Sequence, residues 1–201
     1  IDLSVGSVMG FSAMMCGMVL GAGYPAPLGI IAGLSVALLV GLFNGVMVAY
    51  VKMPSFVVTL GVLSIARSQG QVISDNKGVY DFGTYGETVL WLGGKSTLGI
   101  PNPVIVLIVL TLITGFLLRW TRWGAHVFAV GGNERAARLT GVSVNQVKLS
   151  VYVFSALMAG IAGILMAGWL GSVTQNLGEG KELTVIAATV IGGSHLLGGS
   201  G

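Results

Sequence analysis

Arg119 to Lys148, RWTRWGAHVFAVGGNERAARLTGVSVNQVK, is the one long polar and basic segment that lies directly between two uncharged hydrophobic runs. It carries Arg119, Arg122, Arg135, Arg138 and Lys148 against a single acid, Glu134. Lys and Arg beside membrane spans are retained on the cytoplasmic side, so the segment reads as an internal loop between two transmembrane helices. Within it, Glu134-Arg135-Ala136-Ala137-Arg138-Leu139-Thr140-Gly141 reads as a short helix closed by a glycine, with small residues on part of its surface. A helix with such a face admits close approach by another protein.

Composition supports a bilayer setting. Of 201 residues, 54% are hydrophobic and 8% charged, with a mean hydropathy of +0.89; soluble domains rarely combine these values. The net charge of +3 lies in the loop just described and not in a patch interleaved with aromatics, which argues against nucleic-acid binding. One cysteine, Cys16, in an apolar run offers neither a disulfide framework nor a thiolate metal site. The chain opens on Ile1-Asp2 with no basic n-region, so no secretory signal is legible.

Working outward, Leu3 to Val51 holds no charged residue, and Pro25 and Pro27 divide it into two spans, about Ser4 to Ala22 and Leu28 to Tyr50. After Lys52-Met53-Pro54 comes a third run, Ser55 to Ile73, whose second half is polar at Ser64, Arg67, Ser68, Gln69 and Gln71. Ser74 to Gly99 reads as a loop whose Tyr80, Phe82, Tyr85 and Trp91 suit an interface. Pro101 and Pro103 open a fourth span to Leu118; Leu149 to Leu170 is a fifth, and Leu183 to Gly201 a shorter, glycine-broken segment. The fold expected is all-α: a polytopic transmembrane bundle, 1–201 forming one partial domain of five to six membrane segments.

With Arg119–Lys148 inside, alternation puts Lys52 inside and both Ser74–Gly99 and Gly171–Glu182 outside. The inner side then holds six bases and the outer loops three (Lys77, Lys95 and Lys181), with Arg67 left in the membrane. That distribution obeys the positive-inside rule. It also places the N-terminus inside, which suits a fragment of a longer chain.

Gly33, Gly41, Gly160, Gly163 and Gly168 fall inside spans, where small residues let helix backbones approach; Ala159-Gly160-Ile161-Ala162-Gly163 is therefore read as a helix contact and not as a ligand loop. The run from Gly192 to Gly201 lacks the Lys-Ser/Thr ending of a phosphate loop and, as irregular backbone near membrane depth, should be buried or line a wet cavity. Ser194-His195 invites an intramembrane hydrolase reading, but adjacent residues need not face one another and no elbow motif accompanies them. His126 has no partner at metal-ligand spacing, and the eight methionines read as core filler. No metal or cofactor site is legible. Arg67 has two readings: contact with a solute or neighbouring helix, or snorkelling to the interface.

Four collinear motifs carry a family resemblance. Ile1-Asp2-Leu3-Ser4-Val5-Gly6-Ser7; Phe43-Asn44-Gly45 with Pro54-Ser55-Phe56-Val57-Val58-Thr59-Leu60-Gly61; Gly131-Gly132-Asn133-Glu134 through Val142; and Glu182-Leu183 with Val190-Ile191-Gly192-Gly193 together resemble the permease subunits of ribose-type bacterial ABC sugar importers. Ser194-His195 departs from the Thr-Ser type pair common in that family. The resemblance implies a multi-pass protein of the bacterial inner membrane that pairs with a second permease, a homo- or heterodimer partner. Solute would come from an extracytoplasmic solute-binding protein, and two cytoplasmic ATP-binding subunits would drive the import.

It further implies that Glu134, Arg135, Ala136, Ala137, Arg138 and Gly141 form the helix on which the ATPases dock, with Ala136 and Ala137 in the groove and Gly141 turning the chain back. The chain has no Walker motif, so hydrolysis would fall to a partner and the permease itself would not be an enzyme. Asn44, Thr59 and Ser64, with Arg67, are the candidate pathway residues; hydrogen bonding to sugar hydroxyls and bonding between helices are both open for the first three. Ser74–Gly99 and Gly171–Glu182 are expected to form or border the binding-protein dock, with Asp75, Asp81, Glu87, Glu179 and Glu182 pairing with its basic rim; a solvated face is the other reading. A branched-chain amino-acid permease, and an ATP-independent channel or secondary transporter, are the rival readings.

Overall fold

The computed structural model describes residues 1–193; Ser194-His195 and the Gly198–Gly201 run lie outside the described residues. The helices are α1 (Val5–Gly21), α2 (Ala26–Ala49), α3 (Ser55–Ile73), α4 (Glu87–Gly94), α5 (Asn102–Trp120), α6 (Arg122–Gly132), α7 (Glu134–Leu139), α8 (Val144–Leu170) and α9 (Lys181–Ile191). A two-stranded antiparallel hairpin, β1 (Ser96–Thr97) with β2 (Ile100–Pro101), precedes α5. Four of the helices, α2, α3, α5 and α8, are long and apolar enough to cross a membrane. An all-α polytopic bundle is therefore what the sequence forms.

The bundle is built around α1, ten of whose seventeen residues are buried, including Val8, Cys16 and Leu20. Asp2 accepts from the Ser4 backbone amide at 2.9 Å and from its hydroxyl at 2.6 Å at the start of this helix. Helices α2, α3 and α8 surround α1, whereas α5 has only Asn102 buried and stands at the edge.

Close approach depends on missing side chains. On α2, Gly29, Gly33, Ala37, Gly41, Gly45 and Ala49 recur every fourth residue and are all buried. A methyl on Gly41 would lie 2.9 Å from the Val153 Cα, and one on Gly45 2.9 Å from the Leu149 Cα, so α2 and α8 meet backbone to backbone. Gly160 takes part from the opposite side, against Ala37 and Ser12, so the Ala159–Gly163 run is indeed a helix contact.

Three segments differ from the sequence expectation. Ser74–Gly99 is not all loop: α4 packs on α8 through Gly93 against Gly168, and Phe82 is buried against Gly17 while Tyr80, Tyr85 and Trp91 stay exposed. Asn102 ties this corner down, donating to the Trp91 carbonyl and accepting from the Thr97 hydroxyl, each at 2.6 Å. Helix α8 begins at Val144, five residues before the apolar run; at 27 residues it is about 40 Å long, so its polar first turn projects past the hydrocarbon.

The third departure is Gly171–Glu182. It starts at the expected end, where Val79 and Val173 exchange backbone hydrogen bonds at 2.8 and 2.7 Å. From there it descends along α1: Val173 lies over Gly17, Leu177 over Gly10, and Gly178 and Glu182 over Gly6. Gly17 and Gly6 are about 16 Å apart along the helix axis, roughly half the hydrocarbon thickness. The segment thus re-enters the bundle instead of lying on its outer surface. Its irregular backbone is tolerated because glycines on α1 let it lie against protein and not lipid.

Candidate functional site

At the basic loop, Thr121 ends α5 and starts α6: its hydroxyl donates to the Leu117 carbonyl at 2.6 Å and accepts from the Gly124 amide at 3.3 Å. Helix α6, read from sequence as part of a loop, is pinned to α8 by Trp123. The indole donates to the Ser150 hydroxyl at 2.8 Å and the ring packs on Phe154 with centroids 5.7 Å apart. Asn133 then caps α7 by accepting from the Ala136 amide at 3.0 Å. Gly141 has φ +86°, a left-handed turn that a side chain would strain, and sends the chain back into α8.

Glu134 fixes α7 to the membrane domain. It accepts from Lys148 of α8 at 2.7 Å and from Arg138 one turn on at 3.2 Å. The hydrogen bond from Lys148, then the charges of both bases, hold its carboxyl below the ordinary value of 4.5. Ala137 is 4% exposed and faces the protein, while Ala136 is exposed and Leu139 is 88% exposed. Ala136 and Ala137 do not share an outward face, because successive helical residues are about 100° apart. The free face is Arg135, Ala136 and Leu139. Leu139 was passed over in the sequence, although an apolar residue at i+3 from Ala136 in a polar helix was its signal.

The candidate pathway residues divide into two pairs. Asn44 is buried and donates to the Ser4 hydroxyl at 2.9 Å; Thr59 is buried, donates to the Ser55 carbonyl at 2.9 Å and accepts from the Leu3 amide at 3.1 Å. Both join α1 to its neighbours. Ser64 is exposed on α3, in line with Ser68 and Gln71 at i+4 and i+7. Arg67 points to the re-entrant segment, where its Nη1 lies 3.4 Å from Glu179 Oε1. It therefore has a carboxylate partner that sequence separation concealed. Its Nη2 and Glu182 Oε2 are buried without a hydrogen-bond partner among the described residues.

Of the five acids expected outside, Glu179 and Glu182 belong to this descending segment, at the levels of Arg67 and Gly6. The other three, Asp75, Asp81 and Glu87, are exposed in the 74–99 segment. Among the described residues no three His, Cys, Asp or Glu side chains converge as a metal site.

A buried central helix and four apolar spans, with a basic corner between two of them, define a multi-pass membrane protein. The chain belongs to the family described as branched-chain amino acid transport system / permease component, whose model matches residues 1–199. It is 36% identical over 216 residues to the autoinducer 2 import system permease protein LsrC of Escherichia coli (strain K12 / DH10B), covering 100% of this chain and 58% of that protein. It is 35% identical over 202 residues to the ribose import permease protein RbsC of Escherichia coli (strain K12), covering 100% of this chain and 63% of that one. The chain thus spans about three-fifths of the length of these relatives. No solved structure gives a significant match. Family and hydropathy together make it a multi-pass protein of the bacterial inner membrane.

Proposed function

We propose that this chain is part of a permease subunit of an ATP-binding cassette importer that moves a small sugar across the inner membrane. The observation that carries the proposal is likeness over the whole chain to a ribose and an autoinducer 2 permease. The family description names branched-chain amino acids, which is the competing cargo. An extracytoplasmic binding protein delivers the sugar, a second permease subunit completes the path, and separate cytoplasmic subunits hydrolyse ATP.

Within that scheme α7 is the docking helix. Arg135, Ala136 and Leu139 meet the ATPase, while Glu134, Arg138 and Gly141 set the helix on the membrane domain. Ser64, Ser68 and Gln71 with the Arg67–Glu179 pair form a polar stripe that suits a wet path, since such groups facing lipid are costly. Asn44 and Thr59 support that path by holding α1 in place.

The test is reconstitution of the full-length permease with its partners, reading binding-protein-stimulated ATP hydrolysis and uptake of labelled ribose against labelled leucine. Ala136→Asp is expected to abolish stimulation while insertion is retained, because it buries an unpaired carboxylate at the dock. Ala137→Asp is the poorer probe, since Ala137 already packs within this chain. Wild-type stimulation in Ala136→Asp would remove α7 from the docking role; leucine uptake without ribose uptake would overturn the sugar reading.

A further inference from the structure

Where the turn after α2 meets α7 and the first turn of α8, the protein encloses a polar pocket of about 470 Å³ lined by Lys52, Ser55, Glu134, Arg138, Asn145 and Lys148. Three of these side chains are cationic and one is anionic. The one carboxylate is shared, with Lys148 at 2.7 Å and Arg138 at 3.2 Å. Lys52 makes no ion pair with any described residue. Two positive charges are thus left over in a concave site, where low-dielectric walls concentrate the field on an incoming anion. Ser55 and Asn145 add neutral hydrogen-bond donors, and Ser55 is the first residue of α3, where helix amides carry partial positive charge.

Position identifies the source of that anion. The apolar part of the lining is Val48 and Ala49 at the end of α2 with Met53, and the residues that follow Ala49 in the chain, Tyr50 and Val51, are 49% and 55% exposed. Polar depth therefore adjoins exposed apolar surface at the inner hydrocarbon boundary, the level at which a lipid carries its phosphate above its acyl chains. The volume lies within the range of about 300–1,000 Å³ usual for small-molecule sites. Arg135, Ala136 and Leu139 lie on another side of α7, so a protein docked there leaves the pocket free.

We propose that this pocket binds the phosphate headgroup of an anionic phospholipid of the inner leaflet. The bound phosphate would sit between Lys52, Arg138 and Lys148 and join the α2–α3 turn to α7. Such a site makes the seating of α7 depend on the surrounding lipid. The inference rests on the membrane placement of the chain and not on which solute it moves.

The full-length permease, purified in detergent, is titrated with phosphatidylglycerol and with phosphatidylcholine, and retained lipid is counted by native mass spectrometry. Glycerol 3-phosphate and inorganic phosphate form the soluble arms. Phosphatidylglycerol is expected to bind ahead of phosphatidylcholine. Lys52→Asn should weaken it about fivefold, the usual worth of one basic residue near an anionic surface. Asparagine is chosen because Lys52 has φ 63°, a conformation it tolerates, so the backbone is spared. Asn145→Asp, which adds a negative charge without changing shape, should weaken it at least as much. A lipid-free melting temperature equal to wild type confirms that each variant is folded. Equal binding of soluble phosphates, lost in both variants, would keep the anion site but overturn the lipid as its source. No preference for the anionic lipid, or a preference unchanged in both variants, would overturn the site.

Discussion

A guanidinium at membrane depth costs about 3 kcal/mol even on insertion scales, and Arg67 offsets part of that cost with a carboxylate 112 residues away in sequence, Glu179. The pair is not deeply dry: the side chains are 26% and 56% exposed, so its direct contribution is on the order of 1 kcal/mol. Its larger effect is on placement, because it ties the re-entrant segment to α3. Arg67→Glu sets two carboxylates against each other, and Glu179→Arg two guanidiniums. Each single reversal is expected to lower the melting temperature and the transport rate, and the double reversal to restore both toward wild type. Melting curves and uptake of the four proteins check this; a double variant no better than the worse single one would show that the pair is not coupled. The charge of Arg67 was legible in the sequence, its partner was not. Counting charges by side assigns every polar stretch to a surface, and nothing local to Gly171–Glu182 marks it as one that turns inward.

At the scale of elements, Gly33 and Gly41 on α2 and Gly160, Gly163 and Gly168 on α8 were legible as points of close helix approach, but not that these two helices face one another. The structure converts that pattern into a distance. Gly41 has the Val153 Cα 2.9 Å and the Ala156 Cβ 2.8 Å from where its own Cβ would be, whereas Gly61 on α3 has nothing within 4 Å. Gly41→Leu is expected to destabilise the bundle by about 1–3 kcal/mol as an overpacked core does, and Gly61→Leu to change stability little. Thermal unfolding in detergent of the two variants separates them; equal losses would mean that the close approach at Gly41 is not what holds the bundle, since leucine is itself the better helix former. Other elements were hidden for physical reasons. Helix α6 is eleven residues long inside a basic segment, and Trp123 pins it to α8 through Ser150 and Phe154, contacts its own sequence does not show. Helix α7 is six residues long, under two turns, too short for periodicity to tell that Ala137 faces in and Ala136 out.

For the whole molecule, the two polar ends and the segment joining them make one claim about topology that chemistry can read. The one cysteine of this sequence, Cys16, is buried, so these residues offer no accessible thiol, and single cysteines can be introduced here in a full-length protein whose remaining cysteines are replaced by serine. Lys77→Cys, on the exposed outer loop, is expected to react with a membrane-impermeant maleimide added to whole cells. Leu139→Cys, on the outward face of α7, should react only once the membrane is opened. Leu177→Cys decides the re-entrant path. Alternation of spans puts it on an outer loop with Lys77, but the structure buries it at 8% exposure over Gly10 of α1. It is expected to label at least tenfold more slowly than Lys77→Cys from outside and to stay slow after the membrane is opened, since burial and not sidedness protects it. Labelling of Leu177→Cys as fast as that of Lys77→Cys would place Gly171–Glu182 on the surface, and Arg67 would then lose its partner.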